Sequence, residues 1–189
     1  MGTYILLLKG SPRRRSNSSI LADQVAAGAK AAGATVESFV LHSMNIQPCD
    51  GCDACHETTE GECIIQDDMQ TLYPLLRKAD AIVVATPIYW FTMSAQTKLC
   101  IDRWYALETP QGNALRGKRF AFLLTYSDKD PFLSGAVNAM RTFQDMCRYL
   151  KAKIVGMIYS TASQEGEIAQ QSALMTQAYT LGQRLATGG

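Results

Sequence analysis

Short apolar runs alternate with helical patterns along the whole chain. The runs are predicted as five strands, at residues 4–8, 35–41, 81–86, 119–125 and 154–159. Between and after them, apolar residues recur at spacings of three and four, which is typical of helices. Two of these helices are predicted at about 94–107 and about 165–185. Strands that alternate with helices form βαβ units, and their right-handed crossovers place helices on both faces of a parallel sheet.

The number of strands limits the orders that they can adopt in the sheet. Two doubly wound orders are common, 2-1-3-4-5 as in flavodoxin and 3-2-1-4-5-6 as in dinucleotide-binding domains. Five strands favour the first, so we predict an α/β fold with a doubly wound five-stranded parallel sheet in the flavodoxin-like order 2-1-3-4-5. Ligands of such sheets bind where the strand order reverses, here between the first and third strands. Residues 10–18 and 86–94 are therefore predicted to meet at the ligand site.

Length and charge exclude several other classes of protein. The chain has 189 residues, of which 47% are hydrophobic, and this predicts a single domain over residues 1–189. Its 18 Lys and Arg residues against 17 Asp and Glu residues leave a net charge of +1, which argues against a nucleic-acid partner. No apolar run approaches the roughly 20 residues that span a bilayer, and the N-terminus lacks a signal-peptide pattern. We therefore expect a cytoplasmic protein with no membrane partner.

The segment after the first strand reads GSPRRRSNSS. It lacks the GK[ST] ending of a nucleotide P-loop and the G-x-G-x-x-G pattern of a dinucleotide turn. Hydroxyl and amide donors beside the free N–H groups and positive dipole end of a helix suit a single phosphate monoester. A capped helix with a solvated basic turn is the simpler alternative, and it is preferred for the side chains of Arg14 and Arg15.

The segment after the third strand, TPIYWFTMS, carries three aromatic residues where a connection is usually polar. Such a surface suits a planar aromatic ligand whose ring edges bond to backbone groups. Packing under a helix or at a subunit interface would also explain it. The position opposite a phosphate loop favours the ligand, and a phosphate joined to a planar redox ring indicates FMN.

Four segments of the sequence together resemble a known family. They are GSPRRRSNS at 10–18, PCDGCDAC at 48–55, CIIQDDM at 63–69 and TPIYWFTMSAQTKLCIDRW at 86–104. In this order they resemble the NAD(P)H-dependent FMN reductases and, among them, the iron–sulfur flavoproteins. Ser16 stands where the pattern G-S-P-R-x-x-G-N-[ST] usually has Gly, which is a mild departure.

The resemblance implies where FMN would bind. The FMN phosphate would be held by Ser11, Arg13, Ser16, Asn17 and Ser18. The isoalloxazine ring would lie against Pro87, Ile88, Tyr89 and Trp90. A weaker third contact would come from Tyr126, Ser127 and Asp128, after the fourth strand.

The resemblance also implies an assembly. Its K-x-x-I-D-R pattern is matched by Lys98, Ile101, Asp102 and Arg103. The resemblance implies that this helix packs in a homodimer or homotetramer and carries no catalytic group. From spacing alone, Lys98 and Asp102 form an i, i+4 pair that stabilises an exposed helix by only about 0.2–0.5 kcal/mol.

Four cysteines, Cys49, Cys52, Cys55 and Cys63, form the pattern C-x2-C-x2-C-x7-C. Two consecutive x2 spacings wrap a compact loop around one cluster, whereas structural zinc usually pairs two separated knuckles. The cysteines lie in an insertion loop predicted at about 43–66, and ordered loops of that length are usually functional. The resemblance implies a [4Fe–4S] cluster, while a metal-free loop and, less readily, a zinc site stay open.

The remaining chemistry-bearing residues have simpler assignments. Cys100 and Cys147 lie on helical patterns and are predicted to be core thiols. Asp67 and Asp68 precede a helix, and capping explains them better than catalysis. No nucleophile–base constellation is recognised, so no catalytic residue is predicted.

These patterns together predict a function. Hydride transfer between NAD(P)H and FMN is the chemistry of the cofactor, and the protein supplies binding and orientation. We expect an FMN-dependent oxidoreductase that takes hydride from NAD(P)H and passes electrons to a quinone, a nitro or azo compound, a metal ion, a flavin or the iron–sulfur cluster. The alternative is an electron carrier that exchanges electrons with a ferredoxin-like partner and has no small-molecule substrate.

Overall fold

The secondary structure alternates as the sequence predicts. The computed structural model describes residues 2–57 and 61–189. Its strands are β1 (Tyr4–Lys9), β2 (Thr35–Val40), β3 (Ala81–Tyr89), β4 (Thr92–Met93), β5 (Glu108–Thr109), β6 (Gly112–Asn113), β7 (Arg119–Tyr126) and β8 (Lys153–Thr161). Its α-helices are α1 (Asn17–Ala31), α2 (Met69–Lys78), α3 (Ala95–Asp102), α4 (Ala136–Tyr149) and α5 (Ser172–Thr187).

The five long strands form a parallel sheet in the order β2-β1-β3-β7-β8. Counted along the chain, this is the predicted order 2-1-3-4-5, so the flavodoxin-like fold is confirmed. The three central strands are buried along nearly their whole length, whereas the edge strands β2 and β8 are partly exposed. Continuous apolar runs are expected for parallel strands that are covered on both faces.

Two hydrophobic cores lie on opposite faces of the sheet. Because side chains alternate along a strand, Leu6 belongs to one core and Leu7 to the other. Helices α2, α3 and α4 contribute to the first core, and α1 and α5 contribute to the second. Cys100 and Cys147 are buried in the first core, as predicted, and burial raises the pKa of both thiols to about 12.

The connection after the third strand differs from the prediction. Strand β3 continues to Tyr89, and β4 pairs with it in an antiparallel hairpin. Trp90 and Phe91 form the two-residue turn with φ angles of 46° and 70°. Such turns normally use Asn and Gly, so bulky side chains there are strained by about 1–3 kcal/mol each. Residues 87–89 are therefore strand, and the prediction of a connection there was wrong.

Two predicted helices are shorter than expected. The helix predicted at about 94–107 ends at Asp102 and continues as a 3-10 segment, Arg103–Leu107. The carbonyl of Arg103 accepts a hydrogen bond from the Tyr73 hydroxyl at 3.1 Å, a partner outside the helix. The helix predicted at about 165–185 begins as a separate 3-10 segment, Glu167–Gln170. Gln171 separates this 3-10 segment from α5, and its side-chain oxygen accepts a hydrogen bond from the Ser160 hydroxyl at 2.9 Å.

The predicted cysteine-containing insertion falls between β2 and α2. In its described part, two 3-10 turns, Leu41–Ser43 and Ala54–His56, are the regular elements. Across the described ranges, the helices are all too short or too polar to cross a membrane.

Candidate functional site

A cavity of about 230 Å³ lies where β1, β3 and β7 end. It is lined by nine of the residues predicted for FMN: Ser11, Arg13, Ser16, Asn17, Pro87, Ile88, Tyr89, Tyr126 and Ser127. Its other lining residues are Thr125, Ala162, Ser163 and Glu165. The strand order thus brings together three segments that are far apart in the sequence.

Three of the residues predicted for FMN do not line this cavity. Ser18 is fully buried in the first turn of α1. Trp90 is 91% exposed at the tip of the β3–β4 hairpin. The Asp128 residue is exposed, and its backbone carbonyl accepts a hydrogen bond from the Thr161 hydroxyl. A direct contact with a flavin in this cavity is therefore not supported for these three residues.

The segment after β8 is a side of the cavity that the sequence analysis missed. The side-chain amide of Asn17 donates to the carbonyls of Ala162 at 3.2 Å and Gln164 at 2.8 Å. Its oxygen accepts from the N–H of Ile168 at 3.1 Å. The Asn17 side chain therefore holds this segment beside residues 10–18, and the N–H groups of its amide are already bonded to two carbonyls.

The donors along the first loop have the chemistry of a phosphate site. Ser11 is 1% exposed and Ser16 caps α1 by accepting from the N–H of Ser19 at 3.1 Å. The other early N–H groups of a helix have no intrahelical partner and favour an anion. Arg13 adds a positive charge to the cavity wall, while the side chains of Arg14 and Arg15 are exposed, as predicted. Hydroxyls, N–H groups and one guanidinium fit a single phosphate.

Gly10 allows the two loops to approach each other. Its N–H donates to the carbonyl of Ala85 at 2.8 Å, and its carbonyl accepts from the Ser94 hydroxyl at 2.7 Å. A Cβ atom at this position would lie 1.8 Å from the Oγ1 atom of Thr97. The close contact between the end of β1 and the start of α3 therefore requires glycine.

The four predicted cysteine ligands line a second, separate cavity of about 20 Å³. Cys49 and Cys52 are exposed, Cys63 is partly buried and Cys55 is buried, and none of these four is in a disulfide. In the described part of the chain, no three His, Cys, Asp or Glu side chains lie close enough to hold one metal ion. A [4Fe–4S] cluster instead binds each thiolate through a different iron, so its donor set is four cysteines around one space. The four thiols that line this cavity are donors of that type.

Arg103 closes the cysteine loop from inside the protein. Its guanidinium is 1% exposed and pairs with the fully buried carboxylate of Asp67, with an Nη1–Oδ2 distance of 2.5 Å. The same group donates to the carbonyl of Gln47 at 2.9 Å and to the Sγ atom of Cys63 at 3.3 Å. Both ends of the loop are thus held by one side chain. The Arg103 side chain is thus turned into the protein, whereas Lys98 and Asp102 form the expected exposed pair.

Comparison with known proteins gives the family. The family model for NADPH-dependent FMN reductase matches residues 3–165. The chain belongs to the NADPH-dependent FMN reductase family. An iron-sulfur flavoprotein from Archaeoglobus fulgidus is 34% identical over 120 residues, which are 62% of this chain and 52% of that protein. The chain spans about half the length of the first iron-sulfur flavoproteins it matches.

Two further similarities extend over nearly the whole of this chain. The putative NAD(P)H-dependent FMN-containing oxidoreductase YwqN of Bacillus subtilis is 25% identical over 188 residues, covering 94% of this chain and 95% of that protein. A solved flavodoxin from the domain Archaea has a TM-score of 0.60 at 12% identity and covers 98% of both chains. The second similarity concerns the fold alone.

Asp67 has a larger role in this FMN reductase family member than the predicted capping. Its carboxylate accepts from the N–H of Met69, the first residue of α2, at 3.0 Å, whereas the side chain of the N-cap residue Asp68 makes no capping bond. Burial alone would raise its pKa, but hydrogen bonds from Arg103 and from the N–H groups of Gln47 and Met69 lower the pKa below its ordinary value. The partner Arg103 lies 36 residues away, so local sequence gives no signal for the pair.

Acidification is expected to weaken this ion pair. The pKa of Asp67 is lowered from 3.8, so its stabilisation is fully present above that value and is lost as the pH falls through the lower, folded-state pKa. At neutral pH, Asp67→Asn should lower the free energy of unfolding by about 3–5 kcal/mol, because it leaves a buried charge unpaired. Denaturant unfolding at decreasing pH should show this difference from wild type shrinking below pH 3.8. A difference that stays constant across that range would contradict the assignment.

Proposed function

We propose that this chain is an FMN-dependent oxidoreductase that takes hydride from NAD(P)H and passes electrons to an acceptor. The observation that carries the proposal is the meeting of a phosphate-type donor loop and the apolar end of β3 in one cavity at the switch point of the sheet. Membership of the NADPH-dependent FMN reductase family supports it, as does the name of the Bacillus subtilis relative.

The lining residues divide into two groups by chemistry. Ser11, Ser16 and Arg13, with the N–H groups at the start of α1, would hold the FMN phosphate. Pro87, Ile88 and Tyr89 would hold one side of the ring, and Tyr126 and Ser127 would lie at its edge. When bound, FMN supplies hydride acceptance and electron release. The protein contributes orientation, apolar contact and exclusion of water.

We place a [4Fe–4S] cluster at Cys49, Cys52, Cys55 and Cys63. The convergence of the four cysteines on one cavity supports this assignment, and so do the several relatives that are named iron-sulfur flavoproteins. When bound, such a cluster supplies one-electron transfer. Exposure of Cys49 and Cys52 at the surface favours a second candidate function, an electron carrier that exchanges electrons with a ferredoxin-like partner.

Anaerobic mixing of the holoprotein with NADPH or NADH distinguishes the two functions. Bleaching of the flavin absorption by either nicotinamide within seconds supports the reductase. The Arg13→Met variant is expected to lose bound FMN and the nicotinamide oxidation together, because it removes the cationic side chain at the cavity. A flavin that neither nicotinamide bleaches, but that reduced ferredoxin does, would overturn the reductase proposal and support the carrier.

The exposed aromatic surface supports a homodimer or homotetramer. Trp90, Phe91, Phe132 and Leu133 are 91%, 53%, 77% and 60% exposed. The side-chain amide of Asn138 on α4 donates a hydrogen bond to the Phe91 carbonyl at 3.0 Å. The β3–β4 hairpin therefore lies beside the start of that helix. Exposed apolar clusters of this kind mark interaction sites. At about 230 Å³, the FMN cavity is below the roughly 300–1,000 Å³ usual for small-molecule sites, as expected if a second copy completes it.

The double substitution Trp90→Ser and Phe132→Ser is therefore expected to yield a monomer with weakened FMN binding. Size-exclusion chromatography with light scattering gives the mass of wild type and variant. Tyr159→Ser, which changes a half-exposed aromatic residue on the edge strand β8, is the matched control and should keep the wild-type mass. A monomeric wild type would contradict the proposed assembly. None of the six cysteines is in a disulfide, which supports the proposed reducing, cytoplasmic location.

A further inference from the structure

We propose that Arg103 and Asp67 set the reduction potential of the cluster through the hydrogen bond from Arg103 to Cys63. This inference rests on the proposed cluster and adds a role for two residues outside the cysteine motif. Arg103 would act as a positioning residue, since its contact is with a ligand of the cluster.

The position of Arg103 makes its charge effective. The Nη2 atom lies 3.3 Å from the Sγ atom of Cys63, and the guanidinium is 1% exposed. Charges separated from water interact more strongly than charges at the surface. A hydrogen bond to a ligating sulfur is one of the established means by which a protein tunes such a centre. The contact is therefore placed to influence the electron affinity of the cluster.

The two members of the ion pair should act in opposite directions. A reduced cluster carries one more negative charge than an oxidised one. The N–H donor and positive charge of Arg103 favour the reduced form and raise the potential. The negative charge of Asp67, which accepts hydrogen bonds from the Nη1 and Nη2 atoms of the guanidinium at 2.5 and 3.3 Å, offsets part of that effect. Loss of the Arg103 donor should lower the potential, and loss of the Asp67 charge should raise it.

A purely structural role makes a different prediction. Arg103 also binds the carbonyl of Gln47, and Asp67 accepts from the N–H of the same residue at 2.9 Å. If the pair served only to close the loop, either substitution would loosen it and expose the cluster. The two variants would then lose iron together and shift the potential, if at all, in the same direction.

The test is an anaerobic redox titration with dithionite, followed by electron paramagnetic resonance of the reduced cluster in the holoprotein. Iron and sulfide per chain are measured in the same samples. The variants are Arg103→Lys, which keeps the charge but cannot bond to Cys63 and Gln47 together, and Asp67→Asn. Arg141→Lys makes the same exchange in an exposed pair with Asp145 and serves as the control.

At the potential where the wild-type cluster is half reduced, Arg103→Lys should lower the ratio of reduced to oxidised cluster about tenfold. Asp67→Asn should raise that ratio, and Arg141→Lys should leave it unchanged. If either single variant does not fold, the double substitution Arg103→Met and Asp67→Leu replaces the buried pair with apolar side chains and should give a ratio below that of wild type.

Shifts of the same sign in Arg103→Lys and Asp67→Asn, or unchanged potentials with full iron content, would overturn the inference and leave the cluster in place. A wild type that contains no iron or sulfide after anaerobic purification would overturn the proposed cluster and this inference together. The FMN content measured in the same sample separates that result from a failure of the FMN proposal.

Discussion

Replacing Gly10 with alanine is expected to weaken FMN binding by about 10- to 100-fold. The new Cβ atom would lie 1.8 Å from the Oγ1 atom of Thr97 and 2.9 Å from the hydroxyl of Ser94. Both side chains are buried, so the clash is relieved only if the end of β1 and the start of α3 move apart. That movement displaces Ser11 from the cavity. Overpacking of this kind costs about 1–3 kcal/mol, and each 1.4 kcal/mol corresponds to a tenfold change in affinity.

Titration of the apoprotein with FMN, followed by flavin fluorescence, measures the effect. The double substitution Gly10→Ala and Thr97→Ala removes the clashing hydroxyl and should recover most of the affinity. Thr97→Ala alone should bind FMN nearly as wild type does. Wild-type affinity in Gly10→Ala would show that the two loops do not meet at the flavin site.

Replacing Cys52 and Cys55 with serine is expected to remove the iron and sulfide and to leave FMN bound. The cysteine cavity and the FMN cavity share no lining residue among those described, so loss of one ligand should not disturb the other. Serine does not replace a thiolate as a cluster ligand, and two of the four ligands would be lost. Iron, sulfide and flavin analysis of the anaerobically purified variant measures the effect.

Cys147→Ala is the matched control for this prediction. Cys147 is a buried thiol on α4 and lines neither cavity, so the variant should retain both cofactors. Full iron content in the variant that lacks Cys52 and Cys55 would exclude these cysteines as ligands. Simultaneous loss of FMN would contradict the independence of the two sites.

The strand order could be predicted because the central strands are continuous apolar runs and the connections are helical. Once that order was fixed, topology alone placed residues 10–18 opposite the end of β3. The β3–β4 hairpin could not be predicted, because Trp90 and Phe91 occupy φ angles that their side chains disfavour. Tertiary contacts with the start of α4 override local preference there.

The candidate site was predicted in part. The cavity residues in the first two segments were predicted because their composition is unusual for loops, and Tyr126 and Ser127 were predicted from the family resemblance alone. Ser163 and Glu165 follow β8 with no comparable pattern. They are held at the cavity by hydrogen bonds to distant residues, including those made by Asn17. The ion pair of Arg103 and Asp67 was not predicted for a related reason. A buried ion pair between residues far apart in the chain leaves no pattern in the local sequence.

The central claim is that the cavity at the switch point binds FMN through its phosphate. The most direct test compares the affinities of the apoprotein for FMN and for riboflavin, which has the same ring and no phosphate. One FMN should bind per chain, at least about tenfold more tightly than riboflavin, because charge-assisted hydrogen bonds to the phosphate are lost with riboflavin. Equal affinities, or no flavin binding at all, would contradict the account.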